Sequence, residues 1–284
     1  TGQGKSFGLV DAGRGLVAAL MATSSVYLLD WFLPVDADIA TQEDYTIALQ
    51  WIIGLFAAFT AFCALIAWSI LDGQLSASVN HLTLKGVRKV MSKKRIWQQA
   101  IIVMCAYVGY KCTDDFSLYA RDTLDYNDVE AAHVAAITFW SRPVAAIISG
   151  VVADRWITSK VVSVCFVITM IGGLVISSGV FAVGAEIVVV IIAASTSAAI
   201  YGLRGIYYAL FEESGLAMTV TGSAAGLVSV VGYTPDIIMG PLMGIILDSN
   251  PGPLGHQYLF AVLAGFSLVG LIASVLFRQN GEKY

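Results

Sequence analysis

Several apolar runs of this chain carry charge where a chain would ordinarily avoid it. Asp11 and Arg14 lie within FGLVDAGRGLVAAL. Lys111, Asp114 and Asp115 close another run, and Arg142, Arg204 and Asp236 each stand alone among apolar neighbours. A guanidinium is permanently charged, so in such surroundings it needs an anion, either a carboxylate or a bound solute. A carboxylate there is raised toward a proton by burial, or kept ionised by a nearby cation. The chemistry open to these residues is ion binding and proton exchange. Bond-making chemistry finds no support. The His-Glu-x-x-His zinc motif is absent, and His81, His133 and His256 fall in loops or at an outer edge, so histidine can build no midplane zinc or haem site. A paired-aspartate protease needs two midplane carboxylates, and only Asp236 is central. The chain is therefore not expected to be an enzyme, and no metal, cofactor or nucleic-acid partner is expected.

The elements that position these charges follow from composition. The 284 residues are 57% hydrophobic and 13% charged, with a mean hydropathy of +0.77. Soluble domains average about 45–50% apolar and about 25% charged. Eight stretches, roughly 7–29, 46–71, 98–119, 131–153, 160–182, 186–211, 223–247 and 257–277, reach the length of about 20 residues that a spanning helix needs. They are continuous rather than alternating, which selects helices over a barrel. The expected class is all-α integral membrane, with the lipid bilayer as partner and a monomeric state. Gly4-Lys5-Ser6 has the look of a phosphate-binding loop, but no glycine precedes it at the required spacing and no soluble α/β unit follows. The first residue is Thr and the chain opens directly on a span, as a fragment would. Cys63, Cys105, Cys112 and Cys165 fall inside spans with no metal spacing, so they read as small packing residues.

Charge asymmetry sets the orientation. Lys85, Arg88, Lys89, Lys93, Lys94 and Arg95 crowd the segment LKGVRKVMSKKR, which the positive-inside rule places in the cytoplasm. The 30–45 loop carries five acidic residues and no Lys or Arg, and the 120–130 loop carries four against Arg121. With eight spans, both termini of the chain then lie inside. The 73–97 segment divides two spans from six. Its spacing fits either an amphipathic helix on the inner leaflet or a solvated linker.

A weak internal repeat adds order. Residues 7–30 and 225–248 align without gaps, sharing Gly-Leu-Val near the start and Leu-Asp at the end. Repeats related by an axis along the membrane normal belong to transporters. The second, fifth and eighth spans carry no ionisable group between their ends, whereas the other five do. Central charge costs about 2.5–3.5 kcal/mol on insertion scales, so every third helix reads as peripheral and the rest line an interior.

These features resemble the major facilitator superfamily, whose members have twelve helices in two six-helix bundles with every third helix peripheral. The segment GVVADRWITSK, 150–160, supplies Gly150, Asp154 and Arg155 of the family's G-x-x-x-D-R-x-G-R-R loop signature, with only Lys160 left of its basic end. YGLRGIYYALFEESG and GYTPDIIMGPLMGIILD are similar to bacterial sugar-phosphate or organic-anion permeases. The resemblance implies helices five to twelve: 1–72 would close the N-terminal bundle, 73–97 would be the cytoplasmic linker, and 98–284 would form the C-terminal bundle. It implies a secondary transporter of a small, anionic organic solute in a bacterial cytoplasmic membrane, working by alternating access with proton symport or anion exchange. A transporter-like sensor that binds solute without flux is the alternative.

Residue roles follow on those terms. Asp154, with Gly150 and Arg155, would face the partner bundle's helix and hold the inner gate, the alternative being a plain interfacial cap or salt bridge. Arg142, near mid-bilayer and followed by Pro143, would contact the anion or pair with Asp236. Asp236, among Pro235, Gly232, Gly240 and Gly244, would bind a proton or serve as that counter-ion. Lys111, Asp114 and Asp115, at i, i+3 and i+4, would share a helical face as an ion pair, an outer gate or a proton site. Asp11 and Arg14, at i and i+3, would pair, with Arg14 on the cavity side. Arg204 would snorkel to the inner surface. Tyr201, Tyr207 and Tyr208 would hydrogen-bond solute or pack.

Overall fold

The computed structural model describes residues 2–34, 41–70, 90–124, 126–180, 186–215 and 218–280. Most of the linker, 71–89, lies outside these, so neither its expected amphipathic helix nor His81 is described. All secondary structure among the described residues is helical: α1 (Gln3–Phe32), α2 (Gln42–Ile70), α3 (Lys94–Cys112), α4 (Asp115–Leu124), α5 (Asp128–Arg155), α6 (Thr158–Ser177) and α7 (Glu186–Ile206). A 3₁₀ turn (Tyr207–Ala209) leads to the short α8 (Leu210–Glu213), followed by α9 (Met218–Gly232), α10 (Pro235–Ser249) and α11 (Pro253–Gln279).

Seven helical stretches among the described residues are long and apolar enough to cross a bilayer. The third expected span, 98–119, is broken. Helix α3 ends at Cys112, and Thr113 turns its hydroxyl back onto the Tyr110 carbonyl at 2.7 Å. A side chain that takes up its own helix's carbonyl competes with the ladder, and Asp114 follows in the turn. The seventh expected span is broken as well, at Tyr233 and Thr234, with Pro235 opening α10 at a position where its missing N–H costs nothing. Its repeat partner α1 runs unbroken for 30 residues, because no proline stands at the equivalent place. Helix α5 passes through Pro143 without a break, and its start is fixed by a reciprocal box between Asn127 and Glu130.

Lipid gives no hydrophobic drive to helix association, so close packing must come from small residues. Helices α1 and α5 pack antiparallel along their length on such a seam. A Cβ on Gly8 would sit 2.6 Å from the Ala146 carbonyl, and one on Gly150 would sit 2.6 Å from the Gly4 carbonyl. Helices α6 and α11 pack on each other through Gly173 against the Phe260 carbonyl and a 2.8 Å contact between the Ser163 and Ser274 hydroxyls. This corrects the expected peripheral triplet. Among the described residues α2 buries only Ala48, whereas α6 and α11 each bury a full face. Neither therefore stands apart from the bundle, although both lack ionisable side chains between their ends.

Candidate functional site

A chain of polar contacts links several of the helices. Its hub is Asp11 on α1, buried at 5% exposure. Arg142 of α5 donates from Nη2 to Asp11 Oδ1 at 3.0 Å, and Nε of Arg204 on α7 lies 3.7 Å from the same oxygen. Gly15 makes room for this: a Cβ there would meet Arg142 Cγ at 2.7 Å, so the arginine stem lies across the bare α1 backbone. The Arg204 guanidinium stacks 3.9 Å above the Tyr110 ring and 5.3 Å from Tyr107. Arg142 faces Tyr110 and Tyr201, each at 5.8 Å. The phenol of Tyr107 donates to Asp236 Oδ2 at 3.0 Å, and Asp236 Oδ1 receives Lys111 at 3.0 Å. Five helices, α1, α3, α5, α7 and α10, thus contribute to one network.

The electrostatics are uneven. Two guanidinia share one carboxylate, which leaves the hub formally at +1. Arg142 Nε, Arg204 Nε and Nη1, and Asp11 Oδ2 are buried without a hydrogen-bond partner among the described residues. Charged donors left in this state are costly, and an anion is what they would accept. Lys111 and Asp236 form a neutral pair on the network's more open side, their side chains 27% and 47% exposed.

The sequence located the charges but mispaired several. Asp11 does not pair with Arg14; it faces α5 and α7, and Arg14 is exposed. Arg142 pairs with Asp11 and not with Asp236. Arg204 does not snorkel, because Asp11 and the tyrosine rings hold it inside. Lys111, Asp114 and Asp115 share no helical face, since the turn at Thr113 and Asp114 separates them. Lys111 goes to Asp236, Asp114 is exposed, and Asp115 turns away to α11. Tyr201 is fully buried against the cluster, whereas Tyr208 bonds Ser229 at 2.8 Å and Tyr233 at 2.9 Å.

At the basic face, Asp154 of α5 caps α1. Its Oδ1 accepts from the Gly4 N–H at 2.9 Å and its Oδ2 from the Lys5 N–H at 3.1 Å. Those amides are among the donors a helix start leaves unpaired, and the dipole adds to the attraction. Gly4 and Gly150 let the backbones close to that distance. Arg155 is exposed at the end of α5. Glu213 performs a similar service for α6, accepting the Ser159 N–H at 3.0 Å.

Sequence reasoning passed over one cluster at the opposite, acidic face. His256, in the first turn of α11, is fully buried, with Nδ1 2.8 Å from Asp115 Oδ2 and Nε2 3.1 Å from Asp122 Oδ2. Tyr119 sets its ring against the imidazole at 5.5 Å, near perpendicular. The signal was available: Asp115, Tyr119 and Asp122 fall at i, i+4 and i+7, one helical face. Cys105, Cys112 and Cys165 are buried and unbridged in their expected packing role, and Cys63 is exposed.

No family model matches the chain. It is similar to the inner membrane protein YihN of Escherichia coli (strain K12), at 25% identity over 300 positions that cover 96% of this chain and 65% of that protein. It is also similar to the inner membrane protein YqcE of the same organism, at 19% identity over 291 positions that cover 98% of this chain and 66% of that protein. The chain thus spans about two thirds of the length of these curated relatives. Its apolar spans and wholly helical described structure make it an all-α integral membrane protein, similar over nearly its whole length to two inner membrane proteins.

Proposed function

We propose that the protein carries a small organic anion across a bacterial cytoplasmic membrane as a secondary transporter of the major facilitator type. The observation that carries this reading is the hub, in which Arg142 and Arg204 share one carboxylate and keep buried N–H groups without an acceptor among the described residues. An intramembrane ionisable group is by default a functional one, because insertion selects against it. The flanking Tyr107, Tyr110 and Tyr201 offer ring faces and hydroxyls to a solute's carbon frame. The similarity to two inner membrane proteins and the two broken spans support the same reading. Asp154 on the α1 start would close the cytoplasmic side in the outward-open state, and separation of that cap would open it. Asp236 serves in this reading as the partner of Lys111 and Tyr107, which occupy its two oxygens.

The test is reconstitution of the full-length polypeptide in proteoliposomes with a panel of phosphorylated sugars, sulfonates and carboxylates. Gradient-driven uptake or exchange of an anion, abolished with its binding in Arg142→Gln, is expected. Absence of flux together with unchanged binding in Arg142→Gln would sink the proposal. Binding without accumulation would point to a sensor.

A further inference from the structure

The buried imidazole at the acidic face carries an inference that needs no transport. A ring nitrogen 2.8 or 3.1 Å from a carboxylate oxygen is a hydrogen bond only if one hydrogen lies between them. His256 makes two such contacts, and a neutral imidazole has one N–H. The arrangement therefore holds one proton more than a neutral histidine between two ionised aspartates would. We propose that His256, Asp115 and Asp122 form a proton-binding site whose proton fastens α4 to the start of α11.

The fold makes this fastening consequential. Helix α4 is ten residues long and follows α3 across the turn at Thr113 and Asp114; Phe116 and Tyr119 seat its middle against Phe260 of α11, and the imidazole holds its two ends. Asp115 stands at its first turn and Asp122 near its end, so one ring grips both ends of α4. The two grips differ in exposure. The Asp115 side chain is wholly buried, while that of Asp122 is 34% exposed and borders a cavity of about 350 Å³ shared with Leu118, Asp248, Asn250 and His256. When the proton leaves, the imidazole keeps its one N–H for Asp115 and turns a lone pair toward Asp122. Two acceptors then face each other, and Asp122 can swing to water through that cavity. The cavity is also the proton's route.

The other titratable and charged groups around His256 are few. Helix α4 presents Asp115, Tyr119 and Asp122, and Arg121 on its far side is taken by Asp128 at 3.3 Å. From the end of α10 comes Asp248 across the cavity, and the buried Cys112 of α3 interacts electrostatically with Asp115. Asp114 is exposed in the turn. No Lys or Arg is ion-paired to Asp115 or Asp122 among the described residues, so the extra proton is their neutralising charge. The contact is present at lower pH and lost as pH rises. Between an imidazole's ordinary value of about 6.5 and the higher pH at which the closed form also gives up its proton, α4 opening becomes about tenfold more populated per pH unit, and above that it levels off.

Backbone hydrogen exchange along 116–124, corrected for intrinsic rate and followed from about pH 5 to about pH 10, reads this directly in the full-length polypeptide without added solute. Wild-type protection should be flat at the acid end, fall at that slope through the window, and level off above it. Asp122→Asn should stay protected throughout, because an amide can give or accept a hydrogen and so serves either form of the ring. Asp122→Ala should exchange fast throughout. Flat wild-type protection would overturn the proposal, as would an Asp122→Asn profile that tracks the wild type. Neither result bears on anion transport, so failure here and failure of the transport reading are distinguishable.

Discussion

Neutralising the hub tests the charge argument most severely. In Asp11→Asn the side-chain oxygen can still accept from Arg142, but two buried guanidinia lose their shared counter-charge. At 3.0 and 3.7 Å and an effective dielectric of about 20, the attractions removed are of order 5 and 4 kcal/mol. The guanidinia stay desolvated, so little of this is recovered, and breaking a buried pair from one side costs about 3–5 kcal/mol. At this chain length each kcal/mol moves the midpoint by about 2 °C, so a fall of about 6–10 °C is expected in a fluorescence melt of the purified protein. The hub also rises from a formal +1 to +2. Small anions should therefore stabilise the variant more than the wild type, since a ligand that binds the folded state raises its stability in proportion to log affinity. Asp11→Asn with Arg204→Gln returns the hub to +1 and should regain much of the loss. A variant melting within about 1 °C of wild type, against the 6–10 °C that the buried-pair cost requires, would refute the reasoning. So would strictly additive losses in the double variant, because residues sharing one carboxylate must couple.

Replacing Asp154 with Ala removes the cap on two α1 amides and should cost about 0.5–2 kcal/mol; in the same variant, a Cys placed at Lys5 should react faster with a membrane-impermeant thiol reagent. Gly8→Leu drives a side chain into the Ala146 carbonyl, so the α1–α5 seam must part, and expression and melting temperature should both fall steeply. Lys111→Gln should cost at most about 1 kcal/mol in stability, because the pair is partly exposed, yet reduce solute binding if Asp236 must stay paired for the site to form. Wild-type melting retained together with lost binding would separate that role from a structural one.

What the sequence made legible, and what it hid, divides along one physical line. Spans are visible because bilayer thickness sets a length and lipid sets a composition, and both are local properties. The same holds for the α5 start, where Asn127 and Glu130 stand three apart, and for Asp154, whose value lies in the loop signature around it. Pairings are not local. Asp11 and Arg14 are close enough in sequence to pair, yet Asp11 turns to Arg142, 131 positions away, because Gly15 lets that arginine lie flat against α1. No period along the chain encodes such a choice; it is made where three helices meet. The break at Thr113 and Asp114 was obscured for a related reason. Each residue near it is tolerable in a helix by propensity, and the contacts that accompany the turn, from His256 to both Asp115 and Asp122 and from Phe116 to Phe260, lie on another helix far along the chain. A histidine at a span edge reads as a loop residue until the opposing face, Asp115, Tyr119 and Asp122, is read together with it. The charges that sequence reasoning could place but not pair are those whose partners lie on other helices. An ionisable group survives insertion by finding a partner, and the local sequence does not say which partner that is.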